Sequence, residues 1–146
     1  MHLEDTENLP TGTLEVAIFK NGQLFDFWKD QNLVVNEART MLAQLVAGDS
    51  AGSAITKIGF GVGSTPADPD DTSLSSAYVR NLTGHSYPEA GKVRFEFALN
   101  TSEANGLTIR EFGLITADNR LFSRKVRGGI EKNDDISLEG VWTITF

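Results

Sequence analysis

Ile136-Ser137-Leu138-Glu139-Gly140-Val141-Trp142-Thr143-Ile144-Thr145-Phe146 is the stretch on which the fold turns. Ile136, Leu138, Trp142, Ile144 and Phe146 share one parity, and Ser137, Glu139, Thr143 and Thr145 share the other. A period of two sends successive side chains to opposite faces of a strand, so this segment reads as a strand with one buried face. The same alternation recurs upstream. In Lys92 to Leu99, Val93, Phe95, Phe97 and Leu99 point inward against Lys92, Arg94 and Glu96 outward. In Thr13 to Lys20, Leu14, Val16 and Ile18 lie on one side.

Turn residues punctuate these runs. Asn21-Gly22 is a hairpin signal because both residues tolerate positive φ, and Leu24 to Trp28 is the return strand. Ile55 to Val62 is a strand that runs into Gly59-Phe60-Gly61-Val62-Gly63, where glycines bend it into a long exposed loop with Pro66 and Pro69. Tyr78 to Thr83 fits a short strand. Leu107 to Thr116 is apolar on both parities, which places it centrally or at an interface. Asp118-Asn119 then turns the chain into Arg120 to Val126.

One segment has helical spacing. Ala38, Met41, Leu42, Leu45 and Val46 fall at i, i+3, i+4, i+7 and i+8, with Asn36 as N-cap, Glu37 in the first turn and Gly48 as the stop. The expectation is therefore a mainly β, single-domain antiparallel β-sandwich with one short α-helix over about residues 36–47. Residues 1–10 read as a flexible acidic arm and residues 11–146 as the sandwich domain.

The chain has 146 residues, enough for one self-sufficient core, and no cysteine, so disulfides and thiolate chemistry are excluded. Thirteen Lys and Arg stand against 20 Asp and Glu, a net charge of −7, which opposes general nucleic-acid binding. Arg120, Arg124, Lys125 and Arg127 form the one candidate basic strip. No run approaches the ~20 apolar residues of a membrane helix, and the polar N-terminal residues carry no secretory signal pattern, so a soluble protein is expected.

Chemical motifs are sparse. Gly59 to Gly63 lacks the spacing of a dinucleotide loop, and no phosphate-binding P-loop run exists. Counting from Asp68, the EF-hand positions that need Gly and Glu hold Ser73 and Val79, so Asp68, Asp70 and Asp71 read as an acidic turn. His2 falls in the arm and His85 in a loop, which leaves no paired imidazole site. Asn81-Leu82-Thr83 and Asn100-Thr101-Ser102 match the glycosylation pattern only incidentally. Glu111 is the acid expected to be partly buried, with an arginine such as Arg94 or Arg110 as its partner. Trp142 reads as core. No catalytic, cofactor-binding or metal site is expected, and the chain reads as a non-enzyme.

Several runs together resemble a known group. Asn32-Leu33-Val34-Val35-Asn36 leading to Met41 through Gly48, Ile58 to Thr65 with Asp70 to Leu74, Thr101 to Gly106, Ile109 to Leu114 and Leu121 to Val126 are similar to tailed-bacteriophage structural proteins. That group includes tail-collar and fibre-attachment domains, and the similarity spans residues 13 to 146. The resemblance implies a virion component made in the host bacterial cytoplasm. Its partners would be other virion proteins (portal, adaptor, sheath or fibre), with a homo-oligomeric ring as the assembly and neither nucleic acid nor membrane as a target. A fibre protein would continue past Phe146 into a shaft, so the expectation is a neck or collar subunit at the head–tail junction. A capsid decoration or fibre-anchoring protein is the alternative within that class. A carbohydrate-binding module using Trp28, Tyr78 or Tyr87 is the alternative from another class.

The arm carries Leu3, Leu9 and Pro10, too few apolar groups to fold alone but enough to seat on a neighbour. Deleting residues 1–10 is expected to leave the melting temperature within a few degrees while the ring population, read by native mass spectrometry, falls.

Overall fold

A computed structural model describes residues 10–50 and 52–146, so the expected arm lies almost wholly outside the described residues. In chain order the elements are β1 (Thr11–Lys20), β2 (Gln23–Val34), α1 (Asn36–Val46), β3 (Ile55–Gly61), β4 (Tyr78–Asn81), β5 (Gly84–Ser86), β6 (Lys92–Leu99), β7 (Thr108–Thr116), β8 (Leu121–Glu131) and β9 (Ile136–Thr145). All strand pairings are antiparallel. They form one nine-stranded sheet in the order β4-β3-β7-β8-β2-β1-β9-β6-β5, curled so that its halves face one another as a sandwich.

The curl depends on β2. It pairs with β1 along nearly its whole length, but with β8 only through Leu33↔Arg124 and Val34↔Ser123. The two halves are thus joined by two residue pairs and held by what they bury between them. Leu14, Val16, Phe97, Leu99, Leu138, Trp142 and Ile144 come from one half, and Ile58, Phe60, Ile109, Phe112 and Leu114 from the other. Phe60 meets Phe97 across the interface at 5.8 Å between ring centres, edge to face. Trp28 meets Phe112 the same way at 5.6 Å. The alternation read in β1, β6 and β9 is the inner face of the first half. Phe146 is the exception: it lies just past β9 and is 59% exposed.

The Asn21-Gly22 turn has φ of +51° and +77°, the double left-handed geometry that a tight hairpin twist demands. β2 runs on for 12 residues, well past Trp28, and β8 continues to Glu131. His85 lies on the short edge strand β5 and not in a loop. Three residues of pairing with β6 are too few for a periodicity to register in sequence.

The helix spans Asn36–Val46, as the 3.6-residue spacing predicts, but its start differs. Val35 is the cap residue and makes no side-chain cap hydrogen bond. Asn36 is drawn instead to the loop after β3: its backbone N–H donates to the Pro69 carbonyl at 2.8 Å and its Nδ2 to Asp70 Oδ1 at 2.9 Å. Along the apolar stripe only Ala38 and Met41 are fully buried; Leu42 is partly buried, Leu45 is 45% exposed and Val46 89%. The first turns of α1 pack on the sandwich and its last turn leaves it.

That gradient is measurable. Met41→Ala is expected to cost about 2–5 kcal/mol in chemical denaturation. Leu45→Ala, whose side chain is nearly half in water, should cost less than about half as much.

Candidate functional site

The segment that leaves β3 at Gly61 and returns at Ser75 is the longest connection described, and it is fastened from beneath by one ion cluster. Glu111 on β7 is fully buried and Arg124 on β8 nearly so. Glu111 Oε1 accepts the Arg124 Nε–H at 2.8 Å, while its Oε2 accepts the backbone N–H groups of Gly63 at 2.6 Å and Ser75 at 2.8 Å. Arg124 spends its remaining donors on the loop itself. Nη1 reaches Asp71 Oδ2 at 2.8 Å and the Pro66 carbonyl at 3.5 Å, and Nη2 reaches the Thr65 carbonyl at 3.0 Å. Burial opposes the guanidinium charge, but hydrogen bonds and attraction from Glu111 and Asp71 outweigh it and raise the Arg124 pKa.

The glycines follow from this cluster. A Cβ on Gly61 or Gly63 would stand 2.5 Å from Glu111 Oε2, so the carboxylate occupies space that any side chain would take. The aspartates also have local work. Asp71 Oδ2 accepts the Asp68 N–H at 2.9 Å, and Asp68 Oδ1 accepts the Asp70 N–H at 2.8 Å, an Asx-type turn. Among the described residues no group of three or more His, Cys, Asp or Glu side chains is arranged to hold a metal ion.

The buried acid expected at 111 is there, but its partner is Arg124 and neither Arg94 nor Arg110. Arg110 is exposed on β7, one residue out of phase with Glu111, and Arg94 lies on β6 in the opposite half. The missed signal was Arg124 at the end of the buried run Leu121-Phe122-Ser123-Arg124. The candidate basic strip also disperses. Arg120 pairs with Asp118 and Glu37, Arg124 is buried, and Lys125 and Arg127 both reach Asp30 across the gap between β8 and β2.

The aromatic candidates separate in the same way. Trp28 is buried, with the Arg127 guanidinium 4.3 Å from its ring centre, so its face is covered. Trp142 is fully buried in the core and donates its Nε1–H to Asn32 Oδ1 at 2.9 Å. Tyr78 and Tyr87 are exposed, Tyr78 with its hydroxyl on Glu103 and Tyr87 edge-on to His85.

Two more charged groups went unread in the sequence. Lys132 is buried at the β8–β9 turn, its Nζ donating to Asn105 Oδ1 at 2.8 Å and to the Asn133 carbonyl at 3.0 Å. Burial lowers its pKa, with Asp134 and Asp135 opposing. Asp118 is held below the usual carboxylate range mainly by a hydrogen bond from Thr116.

No protein family, curated protein or solved structure matches this chain. The chemistry at the Glu111–Arg124 cluster is that of a fastening. Every polar atom there is turned toward the protein's own backbone or a counter-charge, and the product is a rigidly presented loop.

Arg124→Met leaves Glu111 buried without its counter-charge and is expected to cost about 3–5 kcal/mol in urea unfolding. Arg110→Met, exposed on the same pair of strands, should stay within about 0.5 kcal/mol of the parent.

Proposed function

We propose that this chain is a non-enzymatic structural subunit of a tailed-phage virion, placed in the neck or collar at the head–tail junction, with other virion proteins as its partners. One observation carries the reading furthest. Four of the runs similar to phage structural proteins, separated in sequence, meet at a single point in space. The Ile58 to Thr65 run supplies Gly63 and Thr65, Asp70 to Leu74 supplies Asp71, Ile109 to Leu114 supplies Glu111, and Leu121 to Val126 supplies Arg124. Their convergence on the Glu111–Arg124 cluster is what supports the reading.

The device suits an assembly subunit. A loop tied at both ends and along its length loses little conformational entropy when a partner covers it. Its outward atoms, from Ser64 to Asp70, are exposed, and Asn36 binds it to the helix start, so loop and helix form one rigid surface. A decoration or fibre-anchoring role uses the same surface and differs only in location.

Placing the chain in a particle is the direct test. Purified virions from a host expressing a tagged copy should carry the tag in stoichiometric amounts, and cryo-electron microscopy should find the domain at the neck. Particles that assemble, infect and lack the chain altogether would end the virion reading.

A further inference from the structure

The outer face of the half formed by β2, β1, β9 and β6 is unusual for a solvated sheet. On β6, β9 and β1 its charges are sorted along the strands, with Lys29 of β2 the exception. At one end stand Lys92 beside Thr145 and Thr11, then Arg94 beside Thr143 and Thr13. Two residues further along, Glu96, Val141, Glu15 and Lys29 lie in one cross-strand row. The next row holds Ala98, Glu139, Ala17 and Phe27.

Within the chain these charges are largely unanswered. Among the described residues Glu15, Glu96, Glu139, Arg94 and Lys29 make no ion pair, and Lys92 reaches only the exposed Glu89 at 3.5 Å. Arg94 Nε is shielded from water without a hydrogen-bond partner. Glu139 has Glu15 and Glu96 as its diagonal neighbours across β9, a like-charge grouping in which Lys29, opposite Glu15 on β2, is the cation in register.

The same face is apolar where it is acidic. Ala17, Phe27, Ala98 and Val141 line a hollow of about 450 Å³ together with the glutamates. Phe27 is 55% exposed, and Leu24, opposite Phe19 on the same parity, is 63% exposed. In an adjoining hollow of about 210 Å³, Lys29, Lys92 and Arg94 stand among threonines with Glu15 and Glu89 at its wall. Cations and apolar-acidic ground thus adjoin on one surface, with Arg94 and Glu96 two residues apart on β6, roughly 7 Å.

We propose that this outer face is where a second copy of the chain docks, face to face with strands reversed, so that Arg94 and Lys92 of each copy meet Glu96 and Glu139 of the other. Reversal is what the charge order requires. Along β6 the order is Lys92, Arg94, Glu96, Ala98, so β6 laid over β6 of the other copy puts Arg94 over Glu96 only when the two run in opposite directions. A twofold axis makes every such contact twice, so one sorted face is complementary to itself. The apolar side chains around Phe27 are covered in the same act. The interface goes beyond the virion reading and does not rest on it, since a soluble copy carries the same face.

The full chain should sediment as a concentration-dependent dimer between about 1 µM and 1 mM, weakening as salt rises. Arg94→Glu alone and Glu96→Arg alone should each raise the dimer dissociation constant tenfold or more. An equal mixture of the two variants should re-associate as a heterodimer, because each then carries the charge that the other's altered residue needs. Phe27→Ser should weaken the dimer with the melting temperature unchanged, since that ring is not core. A wild-type chain monomeric throughout the range overturns the proposal and leaves the face to a different protein. A dimer indifferent to both charge reversals, or variants that fail to re-associate on mixing, overturns it as well.

Discussion

The pairing of Glu111 with Arg124 in the interior is the constraint on which the rest of this structure is arranged. Removing two charges from water is costly, and the pair persists because both groups are saturated with further hydrogen bonds. Those bonds fall on backbone amides and carbonyls of the loop between β3 and β4, so the electrostatic requirement of two side chains dictates the path of a dozen residues. Gly61 and Gly63 follow because the carboxylate needs the volume, and Asp71 follows because the guanidinium has a donor left over. The helix start is caught in the same arrangement through Asn36, which caps nothing of its own and holds the loop instead.

A second constraint acts at the seam of the sheet. β2 belongs to one half along its length and to the other through two residue pairs, Leu33 with Arg124 and Val34 with Ser123. Beyond those pairs β2 and β8 separate, and side chains bridge the opening: Lys125 and Arg127 reach Asp30, and Arg127 lies over Trp28. Arg124 therefore sits both at the seam and at the root of the loop. The position where the halves join is also the position from which the loop is held.

These arrangements are expensive in polar burial and return rigidity. The groups of the cluster are turned toward the chain's own backbone and toward one another. What remains on the surface is a fixed loop, a helix that leaves the sandwich at its last turn, and a sheet face with sorted charge. The proposed role as a phage subunit draws on these features.

The strands were legible because a half-buried sheet imposes a period of two, and β1, β6 and β9 keep that period without interruption. The helix was legible because Ala38, Met41 and Leu42 repeat at helical spacing, and the hairpin because Asn21-Gly22 is suited to its backbone angles. Burial of Glu111 was also readable, from an acid within an apolar run. Its partner was not, because an ion pair between neighbouring strands depends on register, and the β7–β8 register shifts at two places that no local pattern marks. The short strand β5, the exposure of Leu45 and Phe146, and the capture of Asn36 by the loop were equally settled in three dimensions. The sequence by itself determined which residues seek the interior and with what period, since that follows from local geometry and hydration. Only the tertiary structure decided which charges meet, because that depends on distances between segments far apart in the chain.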